Sequence, residues 1–204
     1  MDKYLTRVLQ LASDNPEYQA LSNYLMSRRA FPEIQYRPNS SGTYGSFSQP
    51  GLFNSPVPNT GLVKLNANPE STGAQYMTPT LTHELTHAAQ RQLDYQYREL
   101  QNKKNKSDLE KQFVDNYEKI IGYRTPEISN QIKQLAPQFL QDKGDYRAST
   151  GEALAFGLEN SAYPKNDFSS KAPSHVDPTL ATQLMLLLEQ AQRVQDQQPA
   201  SQGR

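Results

Sequence analysis

Apolar side chains recur at three- and four-residue intervals through the C-terminal two thirds of the chain. One stripe is Leu109, Phe113, Tyr117, Ile120 and Ile121. A second is Ile128, Ile132, Leu135 and Phe139, and a third is Leu180, Leu184, Leu187, Leu188 and Val194. That period puts each set on one face of a helix. A capping residue followed by proline marks a helix start at Asn15-Pro16, Thr78-Pro79, Thr125-Pro126 and Asp177-Pro178, because proline lacks only an N–H that the first turn leaves unpaired anyway. Ser107-Asp108-Leu109-Glu110 has the spacing of a capping box. Pro137 should end or kink the helix that begins at Thr125, with Gly144 in the loop beyond it.

Residues 31 to 75 follow another pattern, with prolines and glycines punctuating short alternating segments. Residues 33–37, 43–48 and 61–66 are expected to be strands of a small antiparallel sheet. The turn-rich stretch 49–60 is a long loop over one edge, either a flap or a plain surface connection. Lys103-Lys104-Asn105-Lys106 reads as a solvated link between helices. Together these elements predict a mainly helical α+β domain over residues 1–194, followed by a polar, disordered tail over 195–204. No internal repeat is visible.

Composition narrows the function. The chain has 204 residues, enough for one domain. Its 21 basic residues balance 21 acidic ones, so no net field draws it to nucleic acid or to anionic membranes. Leu, Ile, Val and Phe supply only 40 residues, which predicts a small core with long loops. The absence of cysteine removes disulfides, thiolate metal sites and cysteine nucleophiles, leaving carboxylates, imidazoles, hydroxyls or a metal that they hold. The charged N-terminus and the lack of a long apolar run predict a soluble protein without a secretory signal, cytoplasmic or virion-associated.

The chemistry concentrates in His83-Glu84-Leu85-Thr86-His87, which holds two of the three histidines. At this composition a His-Glu-x-x-His arises by chance in about two or three chains per thousand. With about 100° per residue and Leu81 at zero, Leu85, Ala89 and Leu93 fall at about 40°, 80° and 120°, and His83 and His87 at about 200° and 240°. The apolar stripe and the histidines thus lie on opposite faces. Imidazoles one turn apart can share a metal, with Glu84 beside its open position.

On these residues the chain resembles the zincin metallopeptidases. The resemblance implies a single zinc, His83 and His87 as its ligands, Glu84 as general base and acid, and a peptide or protein substrate. It also implies a substrate-pairing edge strand just before the helix, which falls on Leu62, Val63, Lys64, Leu65 and Asn66. The metzincin pattern is not met, because Gln90 and Leu93 stand where glycine and histidine belong. The thermolysin-like pattern is not met either, since Ser107 stands at the position of the third-ligand glutamate. The arrangement looks instead like the gluzincins with a distant glutamate, the compact minigluzincins among them. Glu152, in a helix with small neighbours Gly151, Ala153 and Ala155, is the leading third ligand. The same glutamate closes a capping-box spacing with Ser149, and His175, Glu159 and Asp145 are the other candidates. Some gluzincins place an aspartate four residues after the ligand glutamate to orient a histidine; here that position is Phe156. Tyr146, Arg147 and Tyr163 are the candidates for stabilising an oxyanion.

The function this implies is zinc-dependent endopeptidase activity. Two rivals share the motif. One is a non-catalytic structural or interaction protein, such as a virion-associated one, that retains the fold; the other is a zinc amidase acting on cell-wall peptide.

Overall fold

The computed structural model describes residues 2–38, 44–48, 61–67, 72–122, 150–163 and 179–197. Among these are six α-helices and a three-stranded sheet. Helix α1 (Lys3–Ser13) is capped by Asp2, whose carboxylate accepts from the Tyr4 N–H at 2.7 Å. Helix α2 (Pro16–Ser27) starts as the Asn15-Pro16 pair predicts, with Asn15 accepting from the Tyr18 N–H at 3.0 Å. It ends with Arg29 in the left-handed region at φ 54°, and the Ala30 N–H reaches back to Leu25 O at 2.8 Å.

The strands are β1 (Glu33–Pro38), β2 (Gly45–Ser48) and β3 (Leu62–Ala67), in the order β1-β3-β2. The sheet is mixed and not antiparallel throughout as expected: β3 pairs antiparallel with β2 but parallel with β1. The long stretch from 39 to 61 allows this, because β3 can return between its two predecessors and not beside β2 alone. β3 is therefore the middle strand, with Val63, Leu65 and Ala67 alternating into the core.

Helix α3 (Met77–Gln101) crosses the molecule. It begins one residue before Thr78, after a 3-10 turn at Ala74–Tyr76. Thr78 consequently does not act as the expected cap; its hydroxyl donates to Gln75 O at 2.9 Å. Leu81, Leu85 and Leu93 are fully buried, as the stripe requires, and Thr82, Thr86, Gln92 and Gln96 are buried too. The helix is thus covered nearly all round. Among its buried polar side chains, Gln96 accepts from the Tyr24 hydroxyl at 3.2 Å and donates to Ala191 O at 2.8 Å, whereas Gln92 Oε1 meets no hydrogen-bond partner among the described residues. Lys106 caps its end by donating to Lys103 O and Gln101 O.

Helix α4 (Asp108–Tyr117) opens with the predicted capping box between Ser107 and Glu110, and Phe113 and Tyr117 face the core. Ile120 and Ile121 follow on a wider π turn at Glu118–Gly122. Helix α5 (Thr150–Ala162) packs against α3, and helix α6 (Thr179–Asp196) buries the whole third stripe. α6 passes the expected boundary at 194, since Gln195 donates to Ser27 O at 2.6 Å. The predicted helix from Thr125, the loop at 49–60 and the stretch 198–204 lie outside the described residues. No described helix is long and apolar enough to cross a membrane.

Candidate metal centre

The histidine face of α3 is covered by α5. His83 and His87, one turn apart, present their Nε2 atoms to each other at 3.2 Å. Glu152, in the first turn of α5, brings one carboxylate oxygen to 3.4 Å from His83 Nε2 and the other to 3.3 Å from His87 Nε2. The three donor groups thus stand in a triangle, the two Nε2 atoms 3.2 Å apart and the Glu152 carboxylate spanning them with one oxygen toward each imidazole. Three corners of a tetrahedron with metal–ligand distances of about 2.0–2.1 Å are separated by about 3.3 Å. Among the described residues this is the one group of three or more histidine or carboxylate side chains placed so that together they could hold a metal ion.

Charge gives a second test of fit. Glu84, Glu152 and Glu159 are all less than a tenth exposed, as is His83 apart from a sliver of ring. Three buried carboxylates around two imidazoles carry a surplus of negative charge that a cation or a proton must balance. Without a metal the proton does so: burial alone would lower the His83 pKa, but hydrogen bonds to Glu152 and Glu159 and the charges of Glu159 and Glu84 push it up to about 10. The donor set fits a divalent cation that would take that proton's place.

Glu159 was only a minor ligand candidate in the sequence, and its place differs from that role. Its Oε2 lies 3.1 Å from His83 Nδ1, on the ring's far side from the donor triangle. A carboxylate there fixes His83 with Nδ1 protonated and Nε2 free to coordinate. Phe156, at the position where gluzincins carry the orienting aspartate, packs its ring 4.5 Å from the His83 ring instead. Glu159 is one turn further along the same face, at the i+7 position from Glu152, and that spacing was the available signal.

Glu84 projects from α3 toward β2. Its carboxylate accepts the Phe47 backbone N–H; burial raises its pKa above the ordinary value, the charge of Glu152 adds to this, and the charges of His83 and His87 offset it only in part. The close approach depends on Gly45, where a Cβ would stand 3.0 Å from Glu84 Cγ and 2.5 Å from Thr80 Cγ2. Gly45 and Phe47 lie in the expected strand 43–48, but no sequence pattern marked either as part of the site.

The proposed substrate-pairing edge needs correction. Residues Leu62 to Asn66 belong to β3, which has β1 on one side and β2 on the other. Among the described residues, the edge strand beside Glu84 is β2. Because the Asn66 N–H bonds Tyr44 O at 2.8 Å, the alternation of an antiparallel ladder turns the Gly45 and Phe47 peptide groups outward. Of the oxyanion candidates, Tyr163 follows the end of α5 with its hydroxyl 3.3 Å from Thr82 Oγ1, and burial raises its pKa. Tyr146 and Arg147, like His175 and Asp145, lie outside the described residues.

No known family model matches the chain, and neither a curated protein nor a solved structure does. The functional reading therefore stands on the site alone.

Proposed function

We propose that the protein is a zinc-dependent peptidase. The observation that carries this reading is the triangle of His83 Nε2, His87 Nε2 and the Glu152 carboxylate, with Glu84 held next to it. Two imidazoles and one carboxylate are the ligand set of zinc hydrolases that keep a fourth position for water or substrate. A bound zinc supplies Lewis acidity and lowers the pKa of water toward neutrality. Every other part of the reaction is work for the chain's own groups.

His83 and His87 are held in register by α3, and Glu159 keeps the His83 Nε2 lone pair directed at the centre. Glu84 accepts the proton of the attacking water and returns it to the departing amide nitrogen. The Phe47 N–H favours the ionised carboxylate needed for the first transfer, against the burial that raises its pKa. With the Phe47 N–H held by Glu84, an extended peptide has the outward Gly45 N–H and C=O and the Phe47 C=O of β2 to pair with, which would bring its backbone alongside Glu84.

The test is hydrolysis of unfolded casein by the zinc-loaded protein beside a Glu84→Gln variant. Cleavage by the native chain, with the variant inactive yet still holding one zinc, is the expected result. Equal cleavage by a zinc-loaded Glu84→Gln variant would show that Glu84 is not the proton carrier.

A further inference from the structure

Helices α3 and α5 run antiparallel, and the contacts between them form a ladder. Thr82 meets Tyr163 at 3.3 Å, His83 meets Glu159 at 3.1 Å, His87 meets Glu152 at 3.3 Å, and Gln90 Nε2 donates to Gly151 O at 2.9 Å. Ascending positions on α3 face descending positions on α5. The metal-ligating rungs lie in the middle. The two outer rungs touch no donor atom, yet they fix how far α5 can slide along α3.

Sliding matters because the donor triangle is small. One residue of helix rise is about 1.5 Å, close to half of a 3.3 Å edge. Three ligands on two separate helices therefore need an independent device that locks the register. Gln90 is well placed for it. At about 180° on the helical wheel it is next to His83 and His87 on the same face of α3, and the carbonyl it binds belongs to the residue immediately before Glu152. The fit at this rung is close: a Cβ on Gly151 would stand 3.1 Å from Gln90 Oε1.

We propose that Gln90 is a positioning residue that sets the third metal ligand, holding the first turn of α5 so that the Glu152 carboxylate completes the donor triangle. The inference rests on the metal-centre reading and extends it to a residue that binds neither metal nor substrate. Gln90→Leu removes the donor while filling similar space. Gln90→Asn keeps the amide but is one methylene short of the Gly151 carbonyl, and serves if the leucine variant fails to fold.

Zinc affinity is measured by competition with a chromogenic chelator at one fixed pH, on the full chain. Either Gln90 variant is expected to bind about tenfold more weakly than the native protein, at the lower end of effects from groups that orient ligands. Cobalt-loaded samples should show altered visible ligand-field bands. Val8→Ala, which trims a fully buried side chain of α1, separates positioning from general loosening: it should lower the melting temperature and leave zinc affinity as it was. Native affinity and native cobalt bands in a folded Gln90 variant overturn the proposal. Failure of the native protein itself to bind zinc overturns the metal centre, and the role of Gln90 with it.

Discussion

Removing the Glu159 carboxylate should change zinc binding in two ways that can be measured separately. In the native protein Glu159 Oε2 is 3.1 Å from His83 Nδ1, and both side chains are about nine-tenths buried, so water does little to screen the contact. A hydrogen bond to a charged acceptor in such a place is worth about 1.5–3 kcal/mol. Loss of a carboxylate that orients a ligand histidine typically weakens metal binding about 10–100-fold, which is about 1.4–2.7 kcal/mol and agrees. Glu159→Gln keeps an acceptor and should fall near the lower end, and Glu159→Leu near the upper. The second effect concerns protons. His83, with a pKa raised to about 10, must lose a proton to coordinate, so native zinc affinity should climb about tenfold per pH unit from neutrality and level off near pH 10. Without Glu159 one of the causes of that high pKa is gone, and the plateau should begin at lower pH. Chelator-buffered zinc titrations between pH 7 and pH 10 read both quantities. The expected outcome is a plateau that starts at lower pH and lies about 10–100-fold lower. A variant whose plateau has native height and native onset would refute the orienting role.

Further outcomes follow from the same structure. Gly45→Ala should drive a methyl group into Thr80 and Glu84; casein hydrolysis should fall with zinc stoichiometry intact, and unchanged hydrolysis would show that β2 does not position Glu84. Zinc should protect the fold: at free zinc about a thousandfold above its Kd the linkage is about 4 kcal/mol, or roughly 8–16 °C in Tm for a chain of this size, and a chelator should reverse the gain in a thermal melt. In the metal-free protein the raised His83 pKa contributes stability that is present below about pH 6.5 and lost as pH rises toward 10, which denaturant titrations at several pH values can follow. Arg29→Gly should raise stability by about 0.5–1 kcal/mol, because Arg29 is exposed and holds a left-handed φ that glycine adopts without strain; a loss of stability in urea would contradict this.

Helices were the legible part of the sequence. The Asn15 cap, the Ser107–Glu110 box and the Leu180–Val194 stripe are local devices that appear in the fold with little change. Strand order was less legible, because nothing in residues 33–37 or 43–48 announces that β3 will enter between them. That choice depends on burying Val63, Leu65 and Ala67, and among the described residues it makes β2, not β3, the edge strand beside Glu84. The motif on α3 was plain, and the pairing of Glu152 with both imidazoles agrees with its place as leading third-ligand candidate. Glu159 and Gln90 were harder to see, since their roles arise from the antiparallel register of α3 on α5. Gly45 and Phe47 meet Glu84 only through the tertiary fold.

The most direct test of the metal centre is zinc stoichiometry by elemental mass spectrometry, on native protein and on Glu152→Ala after dialysis against metal-free buffer. One zinc per native chain, lost or much weakened in the variant, is the predicted result. No zinc in either, or equal zinc in both, would contradict a centre built from His83, His87 and Glu152.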